Sequence, residues 1–131
     1  MRRFSEQFVI LAAKDATGSG VAMKVTDWEH ILITLSSQDS ANFTVKFQGS
    51  HSDTCPAFGS AQSATNEWEY IQIKDYQNNS AIDGDTGVAF AGTDDVRLFE
   101  FNTNGLNWVT ATITARSAGS ANVKFKGYSN S

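Results

Sequence analysis

Three tryptophans, Trp28, Trp68 and Trp108, stand forty residues apart, and each opens the same spaced phrase. Ile follows five positions on, Ser-Ala seven beyond that, and then V-x-F-x-G. The first copy runs through Ile33 and Ser40-Ala41 to V-K-F-Q-G at Val45–Gly49; the third runs through Ile113 and Ser120-Ala121 to V-K-F-K-G at Val123–Gly127. The middle copy, with Ile73, Ser80-Ala81 and V-A-F-A-G at Val88–Gly92, keeps the spacing but carries a longer tail rich in glycine and aspartate. Each phrase reads as a strand, a polar turn and a returning strand. The repeated unit is therefore predicted to be a β-hairpin, and the chain to be mostly sheet.

Alternation supports that reading. Ile31, Ile33 and Leu35 fall on one face with Leu32 and Thr34 on the other, and Phe43, Val45 and Phe47 oppose Thr44, Lys46 and Gln48. Phe8 to Ala13 is expected to be a first strand, paired with Val21 to Val25 across A-T-G-S-G. The stretch from Gly49 to Asn66, with the sole proline Pro56, is expected to be a long surface connection whose tip serves as a contact loop. Val96 to Asn102 sets Phe99 and Phe101 against Val96 and Leu98, so it is expected to be a central strand covered on both faces. Further along, Val109, Ala111, Ile113 and Ala115 oppose Trp108, Thr110, Thr112 and Thr114. The expected class is all-β: a two-sheet antiparallel β-sandwich of jelly-roll type with eight to nine strands. The forty-residue period also fits a threefold β-trefoil, but the segments before the tryptophans, K-V-T-D, A-T-N-E and N-G-L-N, are unlike one another. At 131 residues a single domain spanning 1–131 is expected, with 1–6 as a short docking arm.

The formal charge of −4 comes without a concentrated basic patch, which removes the electrostatic basis for gripping nucleic acid. The lone Cys55 has no partner for an internal disulfide and no cysteine cluster for zinc. The apolar run from Phe8 to Ala13 is short for a signal peptide core, and no run is long enough to cross a membrane as a helix. Neither a cofactor nor a membrane is expected.

Several residues invite a chemical role. Trp28, Trp68 and Trp108 are candidate platforms for stacking a sugar. The alternative is that each caps an edge of the core, since Trp and the Ile five positions on lie on opposite faces of an unbroken strand. His51-Ser52-Asp53 contains the residue types of a hydrolase triad, but consecutive residues do not converge as nucleophile, base and orienter. Cys55, in a polar loop with no adjacent Lys or Arg, is expected to be inert. Asp75, Asn78, Asp83 and Asp85 offer oxygen ligands for calcium, though out of register with an EF-hand loop; a solvated acidic turn is the simpler reading. Lys46 and Lys124 are expected to project outward at corresponding points of the first and third phrases, together with Gln48 and Lys126, and Arg2, Arg3 and Phe4 form a basic arm with an aromatic anchor. The three lysines with Arg2, Arg3 and Phe4 are the candidate assembly contacts.

At F-T-V-K-F-Q-G-S-H-S-D, and from Phe99 to Ser129, the sequence resembles small β-sandwich virion proteins of tailed bacteriophages. The matching features are the V-x-F-x-G-S ending at Val45–Ser50, the Trp-led strand at Trp68–Ile73, N-x-x-G-L at Asn102–Leu106, the basic Arg116, the S-x-G turn at Ser117–Gly119 and the final V-x-F at Val123–Phe125. The resemblance implies a non-enzymatic structural role on the exterior of a virion, with a capsid auxiliary or decoration protein ahead of a tail or head-fibre component. It implies as partners the major capsid protein or other virion proteins and further copies of the chain. A carbohydrate-binding module using the tryptophans is the rival expectation.

Overall fold

The computed structural model describes residues 1–58 and 66–130, so the tip of the Gly49–Asn66 connection lies outside the described residues. Ten strands follow in chain order: β1 (Arg3–Lys14), β2 (Gly18–Ser19), β3 (Met23–Lys24), β4 (His30–Ser50), β5 (Glu69–Tyr70), β6 (Ile73–Asp75), β7 (Ser80–Ile82), β8 (Val88–Ala91), β9 (Val96–Asn102) and β10 (Trp108–Ser129). All are antiparallel and belong to one sheet in the order β1-β10-β4-β9-β6-β7, with β2 and β3 added to β10 and β5 and β8 to β4. The all-β class stands. The hydrogen bonding shows one ten-strand sheet that is not closed, rather than two sheets or the closed barrel of a trefoil.

The first and third phrases do not fold back on themselves. They pair with each other over their full lengths, from Trp108 opposite Ser50 to Tyr128 opposite His30, so each is a single bent strand, not a hairpin. In a flat sheet, the residues paired to Ile33 and Phe47 would be about 46 Å apart, at ~3.3 Å per residue. Yet Phe125, the partner of Ile33, lies with its ring centroid 6.1 Å from that of Phe47. The ribbon is therefore folded over at mid-length, and its two halves face each other across the core.

The bend has a local cause. Asp39 and Ser40 take positive φ of 64° and 54°, and Gly119 of β10 takes 77°. A Cβ on Gly119 would lie 2.5 Å from Ala41 Cα and from the Gln38 carbonyl oxygen, so only glycine lets the two bends nest. Asp94, entering β9, accepts hydrogen bonds from the Ser40 and Ala41 amides that the bend frees from the ladder. The N-terminal segment follows the same path in pieces. β1 pairs with the second half of β10 while β2 and β3 pair with its first half, so the expected opening strand pair is instead an interrupted companion to β10. The middle phrase does not form its expected hairpin either: a short one, β6 with β7, closes within it, while the strand expected to return, β8, pairs with β4 instead.

Between the halves lie Ile31, Ile33, Leu35, Phe99, Val123 and Phe125 from one side and Phe43, Val45, Phe47, Val109, Ala111 and Ile113 from the other, all buried. At about 1.5–3 kcal/mol for each large side chain, this burial is the main source of stability. β9 does sit inside the strand order, but the expectation that both its faces are covered fails: Val96 is 60% and Leu98 46% exposed.

Candidate functional site

The outward face of β1, β10, β4 and β9 is built row by row from the strand register. One row reads Val9, Lys124, Thr34 and Leu98; the next reads Gln7, Lys126, Leu32 and Glu100; a third reads Phe4, Tyr128, His30 and Asn102. Side chains of one row and one face lie within reach of each other. Phe4, Val9, Val96 and Leu98 are all exposed large apolar groups on this surface, with Tyr76 beside them. Phe4 stacks on Tyr128 at 5.1 Å between centroids, and the Lys126 ammonium sits 5.1 Å from the Phe4 ring centre on the same patch. Lys74 and the Tyr76 hydroxyl both meet Glu100, at 3.4 and 3.2 Å. Burial, then the charge of Glu100 and the hydrogen bond to it, raises the Tyr76 pKa from its ordinary value of 10.0.

Three of the six expected assembly residues, Phe4, Lys124 and Lys126, thus gather here. Arg3 and Phe4 belong to β1 rather than to a free arm, and Arg3 lies over the Trp28 ring at 5.5 Å. Phe4 joins Lys124 and Lys126, Arg2 is exposed just before the strand, and Lys46 is elsewhere, over the Tyr70 ring at 4.7 Å. The apolar members Val9, Val96 and Leu98 escaped the sequence reading because strand alternation tells which residues share a face, not whether anything covers it.

The tryptophans are mostly packed. Trp68 is 4% exposed, stacked on Phe58 at 5.8 Å, and donates its indole N–H to the Ala57 carbonyl. Trp28 is half-buried and lies against Gly127. Trp108 is half-buried on the face opposite Val109, with Lys24 at 6.0 Å from its ring centre. None of the three presents a free, fully exposed ring.

The other candidate chemistry does not assemble. His51 Nδ1 meets the Gly105 carbonyl oxygen at 3.3 Å, and the Ser50 hydroxyl accepts from the Ser52 amide. Burial raises the Cys55 pKa above its ordinary value of 9.0, which holds the thiol in its weakly nucleophilic form. Asp75 is buried in an ion pair with Arg97 and also accepts from the Gln77 amide. Asp83 and Asn78 accept from backbone amides two residues ahead of each. No three His, Cys, Asp or Glu side chains are grouped to hold a metal among the described residues.

A concavity of about 610 Å³ opens where the β5–β6 segment faces the end of β9 and the turn after it. Its floor includes Ile71 and Leu106, packed on the core, and its sides carry Glu69, Gln72, Lys74, Asn102 and Asn104.

No family model matches this chain, and no curated protein does. Two solved structures share its fold. The SPBc2 prophage-derived protein YomS superposes with a TM-score of 0.72 at 12% identity, over 98% of this chain and 96% of that one. The PBSX exported protein XepA superposes with a TM-score of 0.69 at 17% identity; 98% of this chain is covered, but it spans only 38% of the length of XepA. At these identities the likeness is one of fold.

Proposed function

We propose that this chain is a non-enzymatic structural protein of a phage virion, a capsid auxiliary or decoration subunit that sits on the particle exterior and self-associates. The outward face of β1, β10, β4 and β9 carries the reading. Exposed apolar side chains stand on both flanks of this face, Phe4 and Val9 on β1 and Val96 and Leu98 on β9, with Lys124 and Lys126 between them, an arrangement that suits a contact surface. Lys124 and Lys126 beside them favour an acidic partner surface, either the major capsid protein or another virion protein. The all-β fold, a single antiparallel sheet folded over its own core, is a suitable body for such a subunit. Support comes also from the resemblance of Phe43–Asp53 and Phe99–Ser129 to virion proteins, and from a fold shared with a protein described as prophage-derived. A tail or head-fibre position is the second reading.

The experiment is quantitative mass spectrometry and cryo-electron microscopy of purified particles. A copy number matching shell symmetry places the chain on the capsid; density confined to the tail favours the second reading. Recovery of the chain only as a soluble monomer apart from particles sinks both. In particles assembled with the Leu98→Asp variant, occupancy should fall about tenfold or more, because a carboxylate would be driven into a desolvated apolar contact.

A further inference from the structure

We infer that the concavity between β5–β6 and the end of β9 is a binding groove for a neutral oligosaccharide. This goes beyond the virion role and does not depend on it. At about 610 Å³ and open to solvent, the groove has room for a short stretch of a chain-like ligand.

Its walls are fixed by the backbone. The Ile71 amide donates to the Phe47 carbonyl at 2.9 Å, the Leu106 amide to the Thr103 carbonyl at 2.8 Å, and the Thr103 amide to the Glu29 carbonyl at 2.9 Å. Gly49 lets the floor close: a Cβ there would stand 2.7 Å from Leu106 and 3.4 Å from Ile71. Such a floor suits the C–H face of a pyranose. Above it, Gln72, Asn102 and Asn104 are exposed planar amides that bond to no other described residue, as does the Glu69 carboxylate. A planar amide or carboxylate offers hydrogen-bonding atoms side by side, which matches a pair of neighbouring sugar hydroxyls.

Charge narrows the class. Among the lining residues Lys74 is paired with Glu100 at 3.4 Å, which leaves the Glu69 carboxylate as the unpaired charge, so the lining disfavours uronic, sialylated or phosphorylated ligands. None of the candidate sugar platforms Trp28, Trp68 and Trp108 lines this groove.

The test is a titration of the full chain, labelled with ¹⁵N, against chito-, cello- and malto-oligosaccharides, with oligogalacturonate as the anionic control. At least one neutral series should give saturable shifts concentrated at Gln72, Asn102 and Asn104, and the anionic chain should bind at least about tenfold more weakly. Asn102→Ala and Gln72→Ala, both at exposed positions, should each weaken binding about tenfold with unchanged melting temperature. Absence of saturation by every neutral series at about 10 mM, well above a millimolar dissociation constant, would overturn the inference. So would shifts centred on Trp28 or Trp108, or equal binding of the anionic chain. Particle occupancy of the Gln72→Ala variant, which lies off the outward face of β1, β10, β4 and β9 and is expected to stay at the unmodified level, separates failure of this groove from failure of the virion role.

Discussion

Gly127 of β10 lies flat against the indole of Trp28: a Cβ at this glycine would stand 2.4 Å from Trp28 Cδ2. The last residue of the third phrase is thus shaped by the first residue of the first. The corresponding Gly49 answers a similar need, against Leu106.

Replacing Gly127 by Ala should therefore destabilise the fold by about 1–3 kcal/mol, since the added methyl must displace either the strand or the packed indole. Thermal or denaturant unfolding measures it. In a Trp28→Ala background the same change should cost much less, because the clash is gone; equal costs in both backgrounds would refute the contact as the cause.

At the bend of β4, opposite effects are expected from neighbouring residues. Asp94→Ala leaves the Ser40 and Ala41 amides without their acceptor and should cost about 1–2 kcal/mol. Ser40→Gly relieves a left-handed φ of 54° and should be neutral or stabilising by up to about 1 kcal/mol, whereas glycine elsewhere in a strand weakens it. Chemical denaturation of both variants checks the signs.

Gln48 is 1% exposed, and neither atom of its amide has a hydrogen-bond partner among the described residues. Replacement by Leu or Met, of similar volume, should raise stability by about 1 kcal/mol. A loss of stability would mean that the amide is satisfied in solution.

Tyr76 supplies a pH dependence. Its pKa is raised in the folded state, so the neutral phenol is favoured there; the associated stability is fully present below 10.0, the ordinary value, and is lost as pH rises through the folded value. Unfolding midpoints should fall on the alkaline side of 10.0, and less steeply in Tyr76→Phe, which cannot ionise.

Much of the core was legible from alternation. Ile31, Ile33, Leu35, Phe43, Val45, Phe47, Val123 and Phe125 all point inward as their parity requires. What misled was Q-D-S-A: a short polar break reads identically whether the strand returns on itself or bends and goes on. The partner decides, and it lies some eighty residues away in sequence, where no local propensity reaches. The Trp parity puzzle resolves similarly. Trp28 and Trp68 precede their strands, and Trp108, inside one, takes the face opposite Val109. The lysines of the outward face could be placed from sequence, but the buried Arg97–Asp75 pair and the groove could not, because tertiary folding alone brings their parts together.

The pairing of β4 with β10 also sets a timetable for biosynthesis. The central ribbon joins residues 30–50 to residues 108–128, so its second member leaves the ribosome only after nearly all the preceding chain. Until then β4 has β8 and β9 on one side and an open edge on the other, a risk for stray association at high expression. Folding is thereby postponed until residues 108–128 have been made and is slowed by the long loop that must close. In a cell making many copies at once, the emergence of β10, rather than growth of the early strands, becomes the moment at which native or aberrant partners are chosen.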